Sequence, residues 1–450
     1  MNRPNVILFF TDQQRWDTSS LYGNPMDLTP NFDAMAQNGT HCYNAFTNQP
    51  VCLPARCLLQ TGKYASRLNV FRNGDYGLPE NEKTLGHYFR DAGYTTGYIG
   101  KWHMGHESPG PVPPERRTGY DYFLGANVLE FTSDAYDTYM YDGDGAKVFL
   151  PGYRVDAETD AAIRYVAEHR DDSFFLMISY LEPHFQNSRD DYPAPEGYEE
   201  RYQDPWTPPD LRALGGTSAR HLPGYYGMVK RLDEALGRLR DALRSMGLLE
   251  NTIIAYTADH GCHFKTRNSE YKRSCHDGSL RIPLALSGPG FDGGGRVREM
   301  TSLVDLPPTL LDACGIGVPD AMDGRSMLEL TRGRPSNWPE EIFSEICDGA
   351  WLSRAVRTHR WKYSVRATTP VEENEGHPKE YAEDCLYDLV ADPWELNNLA
   401  GFESHEGVRG VMRDRLLRRL SEAGDAEVRI VPAETRPGGQ KTLSKDEWYR

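Results

Sequence analysis

Four apolar runs, each halted by a residue able to bind a ligand, constrain this chain more than any other feature. Residues 5–11 (Asn-Val-Ile-Leu-Phe-Phe-Thr) stop at Asp12-Gln13, and 95–100 stop at Lys101-Trp102-His103. Residues 174–181 stop at Glu182-Pro183-His184, and 252–258 stop at Asp259-His260-Gly261. The runs read as buried strands, and helical patterns stand between them near 85–90, 157–169 and 225–246. The last of these carries Met228, Val229, Leu232, Leu236, Leu239 and Leu243 at three- and four-residue spacing, so one face is apolar. Strands alternating with helices predict an α/β fold with a mostly parallel sheet flanked by helices, and such sheets bind ligands beyond the carboxyl ends of their strands. One sheet edge then collects Asp, Lys, His and Asp-His.

A further strand is expected at 281–287, closed by Gly288-Pro289-Gly290, and a helix at 304–314 with Pro307-Pro308 near its start. From about residue 341 the texture changes to short β-like pieces (355–357, 361–365, 386–389) and a terminal helix at 408–423. This predicts a main domain over 1–340 and a smaller C-terminal α+β subdomain over 341–450. Residues 185–224 lack periodicity and are rich in Pro, Gly and acidic residues, as functional or disordered loops are. Tyr192, Tyr198, Tyr202 and Trp206 in that stretch could stack on sugar rings, but aromatics in a long loop more often anchor it.

The run Val51-Cys52-Leu53-Pro54-Ala55-Arg56-Cys57-Leu58-Leu59-Gln60-Thr61-Gly62 is the richest in chemistry. Pro54 suits a first helical turn, Leu58 and Leu59 continue it, and Gly62 can end it. Cys52 is thus expected at a helix start, where unpaired N–H groups and the helix dipole face an approaching anion. A nucleophile for an anionic substrate belongs there. The formal net charge of −16 argues against nucleic acid or an anionic membrane as the main partner, so an anion needs a locally basic pocket. No run approaches the roughly 18 apolar residues of a membrane span. Met1-Asn2-Arg3-Pro4 leads into no long apolar leader, which predicts a cytoplasmic protein, or a periplasmic or secreted one if a leader has been removed. Eight cysteines without Cys-x-x-Cys spacing argue against a disulfide framework and a structural zinc site. Cys57 and Cys275 read as packing residues.

The pattern Cys52-x-Pro54-Ala55-Arg56 followed by Leu59-x-Thr61-Gly62 resembles the signature of the type I sulfatases of the alkaline phosphatase superfamily, although most members carry Ser at the place of Ala55. Residues 5–12, Gly-Tyr-Ile-Gly-Lys-Trp-His-Met-Gly at 97–105, Glu-Pro-His at 182–184, Thr-Ala-Asp-His-Gly at 257–261 and Leu-Tyr-Asp-Leu at 386–389 resemble further blocks in family order. The resemblance implies an alkaline phosphatase-like fold and oxidation of Cys52 to formylglycine by a formylglycine-generating enzyme. It also implies one divalent metal held by Asp12, Gln13, Asp259, His260 and the modified Cys52. Many members have a second Asp where this chain has Gln13, and Asn is common at 260. Two carboxylates neutralise one divalent cation, so the site stays free of excess negative charge. Oxygen-rich donors favour Ca²⁺, with Mn²⁺ or Mg²⁺ as alternatives.

In the mechanism so implied, a hydroxyl of hydrated formylglycine attacks sulfur and the other then expels sulfate. Arg56 holds that group, Lys101 and Lys272 bind sulfate oxygens, His103 is the base for its collapse, and His184 binds sulfate and protonates the leaving oxygen. Closeness in sequence to Lys272 suggests that Arg273 and His276 face the leaving group. The expected reaction is hydrolysis of a sulfate ester, of a small molecule or an oligosaccharide, with a sulfated carbohydrate favoured. Relatives that cleave phosphonate monoesters and phosphodiesters also carry Asp-Gln and Asp-His pairs and provide the alternative. A non-enzymatic glycan-binding protein would have lost some catalytic residues, and none is missing here.

Overall fold

Val6, Leu8 and Phe10 of the first strand point into one apolar core and Ile7 and Phe9 into another, and all five are fully buried. The same division splits Phe175 and Met177 from Phe174, Leu176 and Ile178, and Ile253 and Ala255 from Ile254 and Tyr256. A sheet covered on both faces has no use for polar alternation, which is why these strands are continuous apolar runs. The computed structural model describes every residue except 1–2, 75–76, 106–107, 334, 336, 373–374, 426, 439–440 and 442.

The main sheet contains β1 (Asn5–Thr11), β2 (Thr40–Phe46), β3 (Thr95–Lys101), β4 (Tyr122–Ala126), β5 (Thr138–Tyr141), β6 (Lys147–Leu150), β7 (Phe174–Ser179), β8 (Thr252–Ala258), β9 (Leu284–Ser287) and β10 (Gly295–Ser302). Their order is β10-β2-β9-β8-β1-β7-β3-β4-β5-β6. The central five, β8-β1-β7-β3-β4, are all parallel, so Asp259, Asp12, Glu182 and Lys101 leave the sheet on one edge. The expected mostly parallel α/β sheet is what the centre contains.

The flanks differ. The strand expected at 281–287 is shorter, and it runs antiparallel to both β8 and β2. β5 and β6 form an antiparallel hairpin at the far edge, where Lys147 and Phe149 are exposed. Such edge strands are half solvated and lack the apolar run that marks the centre. The long helix spans Ser218–Ser245 and so begins well before 225, with Pro223 inside it. Burial of His221, Leu222, Tyr225 and Tyr226 outweighs the backbone hydrogen bond that proline forfeits. This helix and Arg154–Glu168 cover one face, and Cys52–Thr61 lies under the other.

A second sheet, β11 (Ile342–Asp348), β12 (Trp351–Arg357), β13 (Trp361–Ala367), β14 (Glu380–Asp388) and β15 (Arg429–Val431), is antiparallel except for the β14–β15 pair. Its residues Val356, Trp361, Tyr363 and Leu386 share a core with Leu53 and Leu58 of the Cys52 helix. The helix Glu406–Glu422 closes the other end through Val408, Met412, Leu416 and Leu420. No described helix is long and apolar enough to cross a membrane.

A polar bolt joins the sheets. Asp277 accepts from Arg357 Nε and Nη2 at 3.2 Å each and from Lys362 Nζ, all of them buried. Burial pushes the Asp277 carboxyl up, but Arg357, Lys362 and Arg281 outweigh it and hold the group well below the ordinary range. A depressed carboxylate stabilises the fold above its unfolded pKa and loses that contribution as pH falls. Asp277→Asn should therefore cost about 3–5 kcal/mol in urea unfolding at neutral pH. The gap to the wild-type protein should narrow below about pH 4, the unfolded aspartate value.

Candidate active site

Parallel pairing of β1 with β8 sets Asp12 beside Asp259, and both side chains are fully buried. Two carboxylates out of water need cations. Arg56 Nη2 donates to Asp12 Oδ2 at 2.9 Å and reaches Asp259 Oδ2 at 3.5 Å, while Lys101 Nζ donates to Asp12 Oδ2 at 2.8 Å and to Glu130 Oε1 at 2.8 Å. Arg56 is further fixed by Lys101 O (3.0 Å) and Ser179 Oγ (2.7 Å), so the ends of four neighbouring strands orient one guanidinium.

Cys52 opens the helix Cys52–Thr61, whose last turn ends at Gly62 with φ +70°, as the sequence suggests. The start of this helix leaves few N–H groups for an anion. The Leu53 N–H is taken by Asn73 Oδ1, Pro54 has none, and the Ala55 N–H bonds Val51 O. Side chains add to what attraction for an anion the helix start provides. Cys52 Sγ lies 2.7 Å from Lys272 Nζ, 3.3 Å from His260 Nε2 and 3.7 Å from Asp12 Oδ1. Burial pushes the Cys52 thiol up, but Lys101, Lys272 and His260 bring it well below the ordinary thiol value.

Ligand atoms of Asp12, Cys52, Asp259 and His260 all fall within 4.8 Å of one another. His260 Nδ1–H donates to Gly261 O (2.9 Å), which leaves the Nε2 lone pair facing Cys52. That is how a metal-binding histidine is held. Gln13 donates its backbone N–H to Asp259 Oδ1 (2.9 Å) and its side-chain NH₂ to Tyr192 OH (3.0 Å), while its Oε1 is buried and has no hydrogen-bond partner among the described residues. Two carboxylates, an unpartnered amide oxygen and an imidazole fit one hard divalent cation.

The cavity above Cys52, about 460 Å³, is lined by His103, Glu130, His184, Lys272 and Arg273 among others. His184 Nδ1–H donates to Phe185 O (2.7 Å), so its Nε2 accepts from Lys272 Nζ (3.2 Å). Burial and the Lys272 charge both lower the His184 pKa and keep the ring neutral. Both ring nitrogens of His103 are buried without hydrogen-bond partners among the described residues. Gln13, His103 and Arg273 have φ of +67°, +47° and +68°. Left-handed backbone at non-glycine residues is costly and persists where the surroundings enforce it.

Eleven of the twelve residues singled out from sequence line or support this cavity. The exception is His276. As the residue before the short helix Asp277–Leu280 it turns away, and its Nε2 bonds Tyr387 OH at 3.0 Å beside a different cavity. Glu130, which neutralises Lys101, lies on Leu129–Thr132 just after β4 and carries no motif that sequence reasoning could use. Asn73 and Ser179 were invisible for the same reason. In the long loop, Tyr192 and Tyr202 are buried against the Ser218–Ser245 helix, so they anchor it.

A family model described as Sulfatase matches residues 4–316, and one described as N-sulphoglucosamine sulphohydrolase, C-terminal, matches 269–422. An ulvan-active sulfatase of Formosa agariphila is 31% identical over 443 residues, covering 94% of this chain and 82% of that protein. A structure solved in complex with its substrate D-glucosamine-2-N,6-O-disulfate superimposes with a TM-score of 0.77 at 21% identity, over 95% of this chain and 99% of that one. The phosphonate monoester hydrolase of Agrobacterium radiobacter superimposes with a TM-score of 0.69 at 26% identity, over 94% and 96%.

Burial and the neighbouring Asp12 push the Asp259 carboxyl up to about 7. A cation must displace that proton, so calorimetric Ca²⁺ affinity should rise as pH passes upward through about 7 and level off above it. Gln13→Leu, which removes the unpartnered oxygen, should weaken binding about tenfold or more.

Proposed function

The chain belongs to the sulfatase family and is a sulfuric ester hydrolase, and on that premise we propose that it hydrolyses the sulfate ester of a sulfated carbohydrate through formylglycine made from Cys52. The observation that carries this reading is the convergence on Cys52 Sγ of Lys272, His260 and Asp12. The sulfur stands where the oxygens of the modified residue would be. Relatives named for ulvan activity and for a disulfated glucosamine substrate support a sugar as the alcohol.

Asp12, Gln13, Asp259 and His260 would hold the divalent cation, with Ca²⁺ favoured by the oxygen donors. Bound there, the cation supplies Lewis acidity to the oxygens at residue 52 and to the sulfate. Formylglycine, if formed at residue 52, would supply the nucleophilic hydroxyl for sulfuryl transfer.

The remaining roles fall to the chain's own side chains. Arg56 fixes both carboxylates and so sets the spacing of the metal donors. Lys101 shares its charge between Asp12 and Glu130, so it positions more than it attracts. Lys272 has no carboxylate within ion-pair distance among the described residues, and it is the cation best able to bind a sulfate oxygen. Its ammonium also carries the proton nearest His184 Nε2, so the pair can deliver a proton to the leaving alkoxide. His103, whose ring nitrogens form no hydrogen bond among the described residues and whose Nδ1 lies 3.9 Å from Glu130 Oε1, is placed to accept a proton beside residue 52. Arg273 sits at the cavity rim and can contact the sugar. Donors fixed before the substrate arrives stabilise charge as it develops, the largest contribution in many enzymes.

Similarity to the phosphonate monoester hydrolase favours a second reading, cleavage of a tetrahedral phosphorus ester in the same pocket. Rates on aryl sulfate, a sulfated glucosamine and aryl phosphonate decide between them; a phosphonate preference would replace the first reading with the second. Intact mass of the peptide spanning Cys52 should fall by about 18 Da when thiol becomes aldehyde, and Cys52→Ala should lose turnover while keeping its melting temperature within a few degrees. Full activity in Cys52→Ala would end the proposal.

A further inference from the structure

A second group of metal-ligating side chains closes on itself outside the catalytic cavity. Cys275 Sγ, Cys385 Sγ and a ring nitrogen of His276 lie within 4.8 Å of one another. The two cysteines come from distant parts of the chain, Cys275 from the loop that follows Lys272 and Cys385 from strand β14. The register of β13 against β14 shifts between Ser364 and Val365, leaving Asp384 as the extra residue, and such a bulge re-aims the neighbouring side chain.

His276 is held as a ligand is held. Its Nε2 bonds Tyr387 OH at 3.0 Å, and its Nδ1 faces Cys275 Sγ at 4.0 Å. Anchoring one ring nitrogen in this way aims the lone pair of the other. Both thiols are nearly buried, at 5% and 8% exposure, and the group borders a cavity of about 370 Å³ that Arg366 and Asp384 also line.

We propose that Cys275, His276 and Cys385 form a second metal site, suited to a thiophilic ion of the Zn²⁺ class, which fastens the loop bearing Lys272 and Arg273 to the C-terminal sheet. Two sulfurs and an imidazole select a softer ion than the oxygen-rich donors around Asp12 and Asp259. In tetrahedral zinc geometry, bonds of about 2.3 Å to sulfur and 2.0 Å to nitrogen separate those ligands by about 3.5 Å. The 4.0 Å between Cys275 and His276 is close to that spacing already. Each thiol yields its proton to solvent on binding, and the fourth position is left to water or a small anion from the cavity. Lys272 lies three residues before Cys275, so occupancy would stiffen the segment that holds an ammonium 2.7 Å from Cys52 Sγ. A Cys275–Cys385 disulfide would use the same sulfurs but leave the orientation of His276 without a purpose.

Cobalt(II) titration of the Cys52→Ala protein tests this, because the catalytic thiol then contributes no signal. A sulfur-to-cobalt charge-transfer band should grow in the near ultraviolet to one equivalent, vanish on addition of Zn²⁺, and be absent when Cys385→Ser is added. Zn²⁺ should also raise the melting temperature of the first protein by more than that of the second, the difference being due to this site because both retain Asp12, Asp259 and His260. His276→Gln keeps both thiols and should weaken cobalt binding at least about tenfold, which preserves the test if Cys385→Ser fails to fold. No thiolate band, a band that survives Cys385→Ser, or a 275–385 disulfide in the freshly purified protein would overturn the site.

Discussion

The side-by-side burial of Asp12 and Asp259 at the carboxyl ends of β1 and β8 is the constraint from which the rest of the centre follows. Two carboxylates in a low-dielectric setting repel one another and have lost their water, so they persist only among cations. Arg56 and Lys101 supply two of these, and Arg56 can do so only because its helix lies under the sheet at the right height. The helix that positions Cys52 is therefore the one whose arginine offsets the cost of the carboxylates. The position of Cys52 and the charge balance of the two carboxylates are set by a single ten-residue element.

The second sheet takes part in that arrangement. Its apolar residues share a core with the Cys52 helix, and its Arg357 and Lys362 clamp Asp277, just beyond the loop that carries Lys272. One side of the cavity is thus braced by residues far away in sequence. The chain is acidic overall, yet Lys272 and Arg273 face the cavity and attract an anion locally. Long-range charge and local charge have opposite signs here, and only the local one acts on a bound sulfate.

Backbone strain gathers at the same place. Gln13, His103 and Arg273 hold left-handed φ values; Gln13 and Arg273 directly follow Asp12 and Lys272, which reach Cys52 Sγ, and His103 lies two residues past the end of β3. Asn127 O accepts the His103 N–H at 2.6 Å, and Tyr225 OH donates to Gln13 O at 2.9 Å. These bonds come from other elements, so the strain is borne by tertiary contacts and would relax in an isolated peptide.

Four of the five central parallel strands, β1, β3, β7 and β8, are legible in the chain's own apolar runs, because burial on both faces demands them, and so are the polar residues at or just beyond their carboxyl ends. The sequence by itself also marked Cys52 and Arg56, whose helix has local signals at both ends. Strands β2, β4, β5, β6 and β10 escaped it: β6 and β10 are partly exposed edges, and β2, β4 and β5 lack a long uninterrupted apolar run. Tertiary structure alone decided that Glu130 meets Lys101, that Asn73 takes the Leu53 N–H, that His276 turns toward Tyr387, and that Cys275 meets Cys385. Periodicity and capping are properties of neighbouring residues, whereas a pairing between distant ones exists only once the sheets have packed and fixed where each side chain points.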